Sequence, residues 1–119
     1  MIKSFKDLEV YKQSYKLAVT INKACLRLPL YEKNDLASQM RRASKSIPSN
    51  LAEGWAKRSS DKEFKKHITI ALGSTNEMEV HLNMAKDLNY WKVSFCKPLI
   101  DQYMSLGGKL TNLRNNWQS

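Results

Sequence analysis

The two histidines are the residues best suited to acid–base or metal chemistry. His67 and His81 are fourteen residues apart, which on one helix separates them by about 21 Å, too far to share a metal ion. Carboxylate-bridged metal bundles use Glu-x-x-His pairs, and neither histidine has a glutamate three residues before it. Glu63 and Glu77 precede the histidines by four residues, so we expect two solvated side-chain pairs rather than a metal site.

Motifs for nucleophilic or hydrolytic chemistry are also missing. Some small helical-bundle ribonucleases place an arginine four to six residues before a histidine, and neither histidine has one. There is no glycine-rich phosphate loop and no GxSxG elbow. Cys25 and Cys96 form no CxxC pair, so we expect two reduced, partly buried thiols. The sequence predicts no catalytic residue, metal or cofactor, although a site assembled from distant residues stays open.

The basic residues suggest an anionic partner. Twenty Lys and Arg against eleven Asp and Glu give a net charge of +9, which favours nucleic acid, an acidic protein or anionic lipid. The predicted nucleic-acid contacts are Arg41, Arg42, Lys45, Lys57, Arg58, Lys62, Lys65 and Lys66. If the two helix ends that carry them meet, they form one patch that holds phosphates without reading bases. Trp55 then stacks on an exposed base; the alternative is a solvated charged face with Trp55 packed in a loop.

Four stretches of apolar residues with alternating three- and four-residue spacing predict four helices, over roughly 5–28, 35–57, 61–88 and 94–117. Ser4 is a plausible N-cap, and Ser60 begins a capping box with Glu63. The apolar phase continues across Pro48, where we expect a kink, and across Gly107 and Gly108, where we expect close packing. The short connections predict a single all-α domain, residues 1–119, folded as an antiparallel up-down-up-down four-helix bundle.

Polar residues recur beside the core of the second helix. Asn50 falls at a core position, and Gln39, Ser46 and Glu53 repeat every seven residues along its flank. We expect these four residues to form a structural polar layer that fixes helix register. A catalytic use of the layer is the alternative.

Helices 1 and 3 each carry a second row of apolar residues in addition to the row that faces the bundle core. This suggests that another subunit packs against the second row. The predicted oligomer interface comprises Val10, Leu17, Ile70, Val80 and Met84.

The N-terminus lacks an apolar signal core, and no stretch approaches the ~20 apolar residues of a membrane span. We therefore expect a cytoplasmic protein without a membrane partner.

The segments 36–43 and 46–54 resemble a family of small bacterial four-helix-bundle proteins encoded in intervening sequences of 23S ribosomal RNA genes. Residues 5–11 and 70–77 support the resemblance, which covers nearly the whole chain. The family's signature corresponds to Gln39, Arg41, Arg42, Ser46, Asn50, Glu53 and Gly54. The group is similar to the accessory variability protein of diversity-generating retroelements, which implies a ring-like homopentamer that binds nucleic acid and partners a reverse transcriptase.

Three hypotheses follow. The first is a non-enzymatic, oligomeric protein that binds RNA or DNA phosphates without sequence preference. The second is a homo-oligomeric interaction scaffold that recruits an acidic partner or a reverse transcriptase without touching nucleic acid. The third and weakest is a ribonuclease that uses His67 or His81 with neighbouring lysines.

Overall fold

The computed structural model describes residues 2–118, which form an all-α bundle of four long helices. The helices are α1, Glu9–Ala24; α2, Leu36–Ala56; α3, Asp61–Asp87; and α4, Val93–Asn116. Each packs against its neighbour in the chain, and α1 also packs against α4. Side-chain hydrogen bonds join residue 46 to 74 and residue 50 to 67, so α2 and α3 run in opposite directions. The predicted up-down bundle is confirmed.

The first helix is shorter than the predicted 5–28, because a separate 3-10 turn, Phe5–Asp7, precedes it. Leu8 is extended between the two (φ −66°, ψ 128°). Ser4 caps the turn, accepting a hydrogen bond from the Lys6 amide at 3.1 Å. The Asp7 carboxylate accepts from the amides of Lys3 and Ser4, which holds the pKa of Asp7 below its usual range. The predicted serine cap therefore exists, but it starts a turn rather than α1.

The second apolar row of α1 enters the core of the bundle instead of facing another subunit. Val10 and Leu17 are only 6% and 3% exposed, so their assignment to an oligomer interface is wrong. Tyr15 of the same helix is 55% exposed. The two rows carry similar apolar content, and a tyrosine at the edge of the bundle can cover apolar neighbours while its hydroxyl stays in water.

The helices continue through their internal proline and glycine residues. α2 continues through the buried Pro48, and α4 continues through Gly107 and Gly108. A Cβ added to Gly107 would lie 3.7 Å from Thr75 Cγ2, an ordinary contact, and one added to Gly108 would meet nothing within 4 Å. The prediction of close packing there is wrong. It is Gly54 of α2 that permits a close approach, since its added Cβ would lie 2.9 Å from His67 Cβ.

Hydrogen bonds join the α1–α2 connection to the α3–α4 connection at the end of the bundle where α3 ends. The Tyr90 hydroxyl donates to Glu32 Oε2 at 2.7 Å and lies 3.0 Å from the Tyr31 hydroxyl. Glu32 Oε1 in turn accepts from the Leu36 amide at the start of α2. This network joins the segment before α2 to the segment after α3. None of the helices within residues 2–118 has the length and apolar character needed to cross a membrane.

Candidate nucleic-acid interface

Five of the predicted phosphate-binding residues lie at one end of the bundle, where α2 passes into α3. Lys57 and Arg58 follow the last turn of α2, and Lys62, Lys65 and Lys66 lie on the first two turns of α3. All are exposed except the half-buried Lys65. We call these five residues the basic end.

The other three predicted residues lie elsewhere. Arg41 precedes Lys57 by sixteen residues, about 24 Å along the helical rise, and its guanidinium donates to the Lys33 carbonyl at 3.2 Å. Arg42 faces the groove between α2 and α3 beside Glu77. Lys45 faces the groove between α1 and α2. The single continuous patch is therefore not formed, because an antiparallel hairpin brings together only residues close to its connection.

Trp55 is held by neighbouring side chains rather than presented as an open stacking surface. Its ring centroid lies 6.0 Å from that of Trp117, edge on, and Trp117 stacks 4.3 Å from Phe64. The Arg58 guanidinium covers the Trp55 ring at 4.4 Å and donates to the Trp55 carbonyl at 2.9 Å. Of the two interpretations of Trp55, the structure favours the packed one, although Trp55 is on α2 and not in a loop.

His67 is buried between α2 and α3 and has a partner on each ring nitrogen. Asn50 Nδ2 donates to Ser46, so its Oδ1 accepts from His67 Nδ1 at 3.0 Å. In the neutral ring this leaves the Nε2 lone pair facing Lys57 Nζ at 3.3 Å. The expected solvated pair of His67 with Glu63 is wrong, because the ring turns toward α2.

His81 does pair with Glu77, Nε2 to Oε2, at 3.1 Å. The predicted pair therefore exists, but its histidine ring is buried and only the Glu77 side chain is solvated. Within residues 2–118 no group of three His, Cys, Asp or Glu side chains is arranged to hold a metal ion. Cys25 and Cys96 are free and buried, and burial raises the pKa of both thiols.

Two of the four residues assigned to a polar layer join α2 to α3. Ser46 accepts from Ser74 at 3.0 Å, and Asn50 bonds to His67. Glu53 is largely exposed and lies 3.9 Å from His67 Nδ1, at the margin of this group. Gln39 lies outside it and donates instead to Asp35 at 2.9 Å.

The partners on α3, His67 and Ser74, were not predicted. The heptad spacing of α2 shows where its polar side chains recur but not which residues of another helix they meet. The sequence did contain a signal that these two side chains lie at the edge of the core. His67 immediately precedes the core residue Ile68, and Ser74 immediately precedes the core residue Thr75.

The remaining predicted interface residues are on the outer side of α3. Ile70, Val80 and Met84 are 43%, 58% and 47% exposed. These three side chains are accessible in a single chain, as an intermolecular contact requires.

The family described as 23S rRNA-intervening sequence protein matches residues 6–112. A solved structure with the same fold is that of a protein of unknown function from the S23 ribosomal protein family of Bacteroides thetaiotaomicron, with a TM-score of 0.81 and 22% sequence identity. The match covers 90% of this chain and 96% of that one. No curated protein matches the chain. With a family match over most of its length, the chain belongs to the 23S rRNA-intervening sequence protein family.

Proposed function

We propose that this chain is a non-enzymatic, oligomeric protein that binds RNA or DNA through phosphate contacts at the basic end. The observation that carries the proposal is the clustering of five cationic side chains within residues 57–66 at one end of the bundle. Asp61 and Glu63 lie in the same stretch, on the first turn of α3 where acidic side chains favour the helix dipole. The five cationic side chains still outnumber these two carboxylates.

A sixth cation borders this surface. Arg114 of α4 lies near the basic end, its Nη1 donating to Thr69 Oγ1 at 3.4 Å, and Thr69 is one turn beyond Lys65 on α3. Arg41, Arg42 and Lys45 are about 18 to 24 Å from Lys57 by helical rise. They would contribute to binding only if the nucleic acid runs along the bundle or bridges several copies.

The chemistry of the basic end favours binding without sequence preference. Lysine ammonium groups and an arginine make strong contacts to phosphate oxygens, which carry no sequence information. The Trp55 ring, the best candidate for base stacking, is already packed against Trp117 and Arg58. Affinity should therefore depend on counterion release and fall steeply with salt.

Self-association is part of the proposal. The exposed Ile70, Val80 and Met84 form an apolar outer surface on α3 that a single copy leaves uncovered. Similarity to the accessory variability protein implies a ring-like homopentamer, the assembly that we propose here. Light scattering tests it, because a monomer at micromolar concentration would contradict it.

A salt-titrated binding assay on the intact protein tests the nucleic-acid part. The probes are single-stranded RNA, duplex DNA and an RNA–DNA hybrid of equal length. If the whole basic end contacts phosphate, the slope of log K against log salt on duplex DNA should be about −4.5 for each copy engaged. Absence of salt-sensitive binding to all three probes would refute this part and leave the interaction scaffold as the better account.

A further inference from the structure

Lys57 is distinguished by the contact of its ammonium group with an imidazole. Among the lysines within residues 2–118, it alone has its Nζ within hydrogen-bond distance of a histidine ring, 3.3 Å from His67 Nε2. The other histidine, His81, pairs with Glu77. Lys57 is exposed, whereas His67 is only 6% exposed. A solvent-accessible amine therefore contacts a buried base.

The His67 imidazole is held in one orientation and one tautomer. Asn50 Nδ2 donates to the Ser46 carbonyl at 2.9 Å and to Ser46 Oγ at 3.1 Å, so Asn50 Oδ1 accepts from His67 Nδ1. With its proton on Nδ1, the neutral ring presents the Nε2 lone pair to Lys57. A nucleophile, a base and a third group that orients the base are the parts from which enzymes build activated nucleophiles.

The backbone fixes the distance between the end of α2 and the imidazole. Lys57 follows the last residue of α2, and its amide donates to the Gly54 carbonyl at 3.0 Å. Gly54 lets α3 approach so closely that an added Cβ would lie 2.9 Å from His67 Cβ. Because both backbones are held in place, only the flexible Lys57 side chain has to reach the base.

Further cationic side chains lie at the same end of the bundle. Arg58 follows Lys57 in the chain, and Lys62 and Lys66 are exposed on the first two turns of α3. Their positive charge attracts an anionic reagent to this surface. Lys62 and Lys66 share the surface with Lys57 but lack its imidazole partner among the described residues, so they serve as internal references for the reactivity of Lys57.

We propose that Lys57 is a modification site at which acyl phosphates acylate the amine, with His67 as the base and Asn50 as the residue that positions it. An acyl phosphate carries an electrophilic carbonyl carbon and an anionic phosphate, and lysine and arginine side chains form strong charge-assisted hydrogen bonds to phosphate. The phosphate is also the leaving group. The two chemical features of the site, a base beside the amine and cations nearby, therefore match the two parts of this reagent.

The acylation step starts when the Lys57 ammonium loses a solvent-facing proton to water. One remaining N–H donates to His67 Nε2, and the lone pair stays on the exposed side. The lone pair attacks the acyl carbon to form a C–N bond, and the nitrogen passes its hydrogen-bonded proton to Nε2. The bond between the acyl carbon and the phosphate oxygen breaks, and phosphate leaves with the electron pair. His67 then returns its proton to solvent, which leaves an amide on Lys57 and inorganic phosphate.

Acylation would remove one of the five cationic side chains of the basic end. This consequence rests on the proposed function: the slope of log K against log salt on duplex DNA should become less steep by about 0.9 for each copy engaged. The modification itself does not depend on nucleic-acid binding. Mass spectrometry of the protein alone therefore tests the modification separately from the proposed function.

The experiment incubates the intact protein at pH 8 with acetyl phosphate or with the neutral N-hydroxysuccinimide ester of acetic acid. Mass spectrometry of peptides follows acetylation at Lys57, Lys62 and Lys66 over time. His67→Gln removes the base. His81→Gln is the matched control, because it removes the other buried histidine, about 21 Å away along α3. Circular dichroism verifies that both variants keep their helix content.

The expected result with both reagents is acetylation of Lys57 about tenfold or more faster than that of Lys62 and Lys66, because a positioned base accelerates such a step. His67→Gln should reduce this ratio of rates to about one, and His81→Gln should leave it unchanged. Equal rates at the three lysines of the wild type would overturn the proposal, even if His67→Gln does not fold. An unchanged ratio in folded His67→Gln would overturn the role of the base, and a preference seen only with the neutral ester would overturn the choice of acyl phosphates.

Discussion

Asn50 and His67 join α2 to α3 through a hydrogen bond of 3.0 Å between Asn50 Oδ1 and His67 Nδ1. The Asn50 amide is oriented by its two bonds to Ser46, and the imidazole is buried against the backbone of Gly54. A polar pair with one fixed geometry at a helix interface sets the register of the two helices. The pair lies directly beside the basic end and orients Lys57 toward the ring.

Replacing Asn50 with alanine should lower the free energy of unfolding by about 1–3 kcal/mol, because His67 loses its partner while it stays buried. Gln39→Ala is the matched control. Gln39 is exposed and bonds only to Asp35 among the described residues, so its loss should cost less than about 0.5 kcal/mol. Urea unfolding followed by circular dichroism measures both values, and equal losses would show that the Asn50–His67 bond does not stabilise the interface.

Gly54→Ala and Gly108→Ala should change stability in opposite directions. The added methyl group at Gly54 would lie 2.9 Å from His67 Cβ, so α2 and α3 must separate, at a cost of about 1–3 kcal/mol. At Gly108 the methyl group meets nothing within 4 Å, and better helix propensity should stabilise the protein by about 1 kcal/mol. Thermal unfolding of the two variants measures the difference. A neutral Gly54→Ala would contradict the close approach of the helices.

The helices were predictable from the sequence because apolar spacing of three and four residues depends only on the geometry of one helix. The orientation of α1 within the bundle was not predictable from the sequence. Its two apolar rows have similar content, and the choice of Val10 and Leu17 for the core depends on how α2 and α4 approach. The same limit applies to Asn50, whose inward position followed from the heptad while its partner His67 is on another helix.

The positions of the basic residues show a second limit of prediction from the sequence. Residues 41–66 are rich in lysine and arginine along the chain, but the length of α2 separates Arg41 from Lys57 by about 24 Å. Proximity in sequence predicts proximity in space only near the α2–α3 connection, where the two helices meet. The α1–α2 groove was not predicted at all, since it depends on residues more than 40 positions apart, such as Phe5 and Pro48.

Two tyrosine-to-phenylalanine variants should have contrasting effects. The Tyr103 hydroxyl is buried without a hydrogen-bond partner among the described residues, and burial raises the pKa of Tyr103 above its usual range. Tyr103→Phe should therefore leave stability unchanged or raise it by about 1 kcal/mol. Tyr90→Phe removes the bond to Glu32 and should cost about 1 kcal/mol. Denaturant unfolding compares the two, and a large loss in Tyr103→Phe would reveal a partner for its hydroxyl.

Cys25 and Cys96 should react slowly with iodoacetamide in the folded protein. The thiolate is the reactive form, and burial both raises the pKa of each thiol and blocks access to it. Mass spectrometry at pH 8 should show labelling at least about tenfold slower than in guanidinium chloride. Rapid labelling of either cysteine in the native state would show that the bundle opens locally near that position.

The central claim is that the basic end holds nucleic acid, and the most direct test compares two charge-reversal variants. One is Lys57→Glu/Lys62→Glu/Lys66→Glu at the basic end, and the other is Arg41→Glu/Arg42→Glu with Lys45→Glu in the opposite half of the bundle. Both change the net charge by the same amount, so a general effect of charge would be equal in the two. Salt-titrated binding to single-stranded RNA and duplex DNA, with light scattering to monitor assembly, is the measurement. Our account predicts that the basic-end variant loses most of its affinity for nucleic acid and that its affinity depends less on salt. The Arg41 variant should keep most of its affinity and most of its salt dependence. Equal losses of affinity in the two variants, or a larger loss in the Arg41 variant at unchanged mass, would contradict the account.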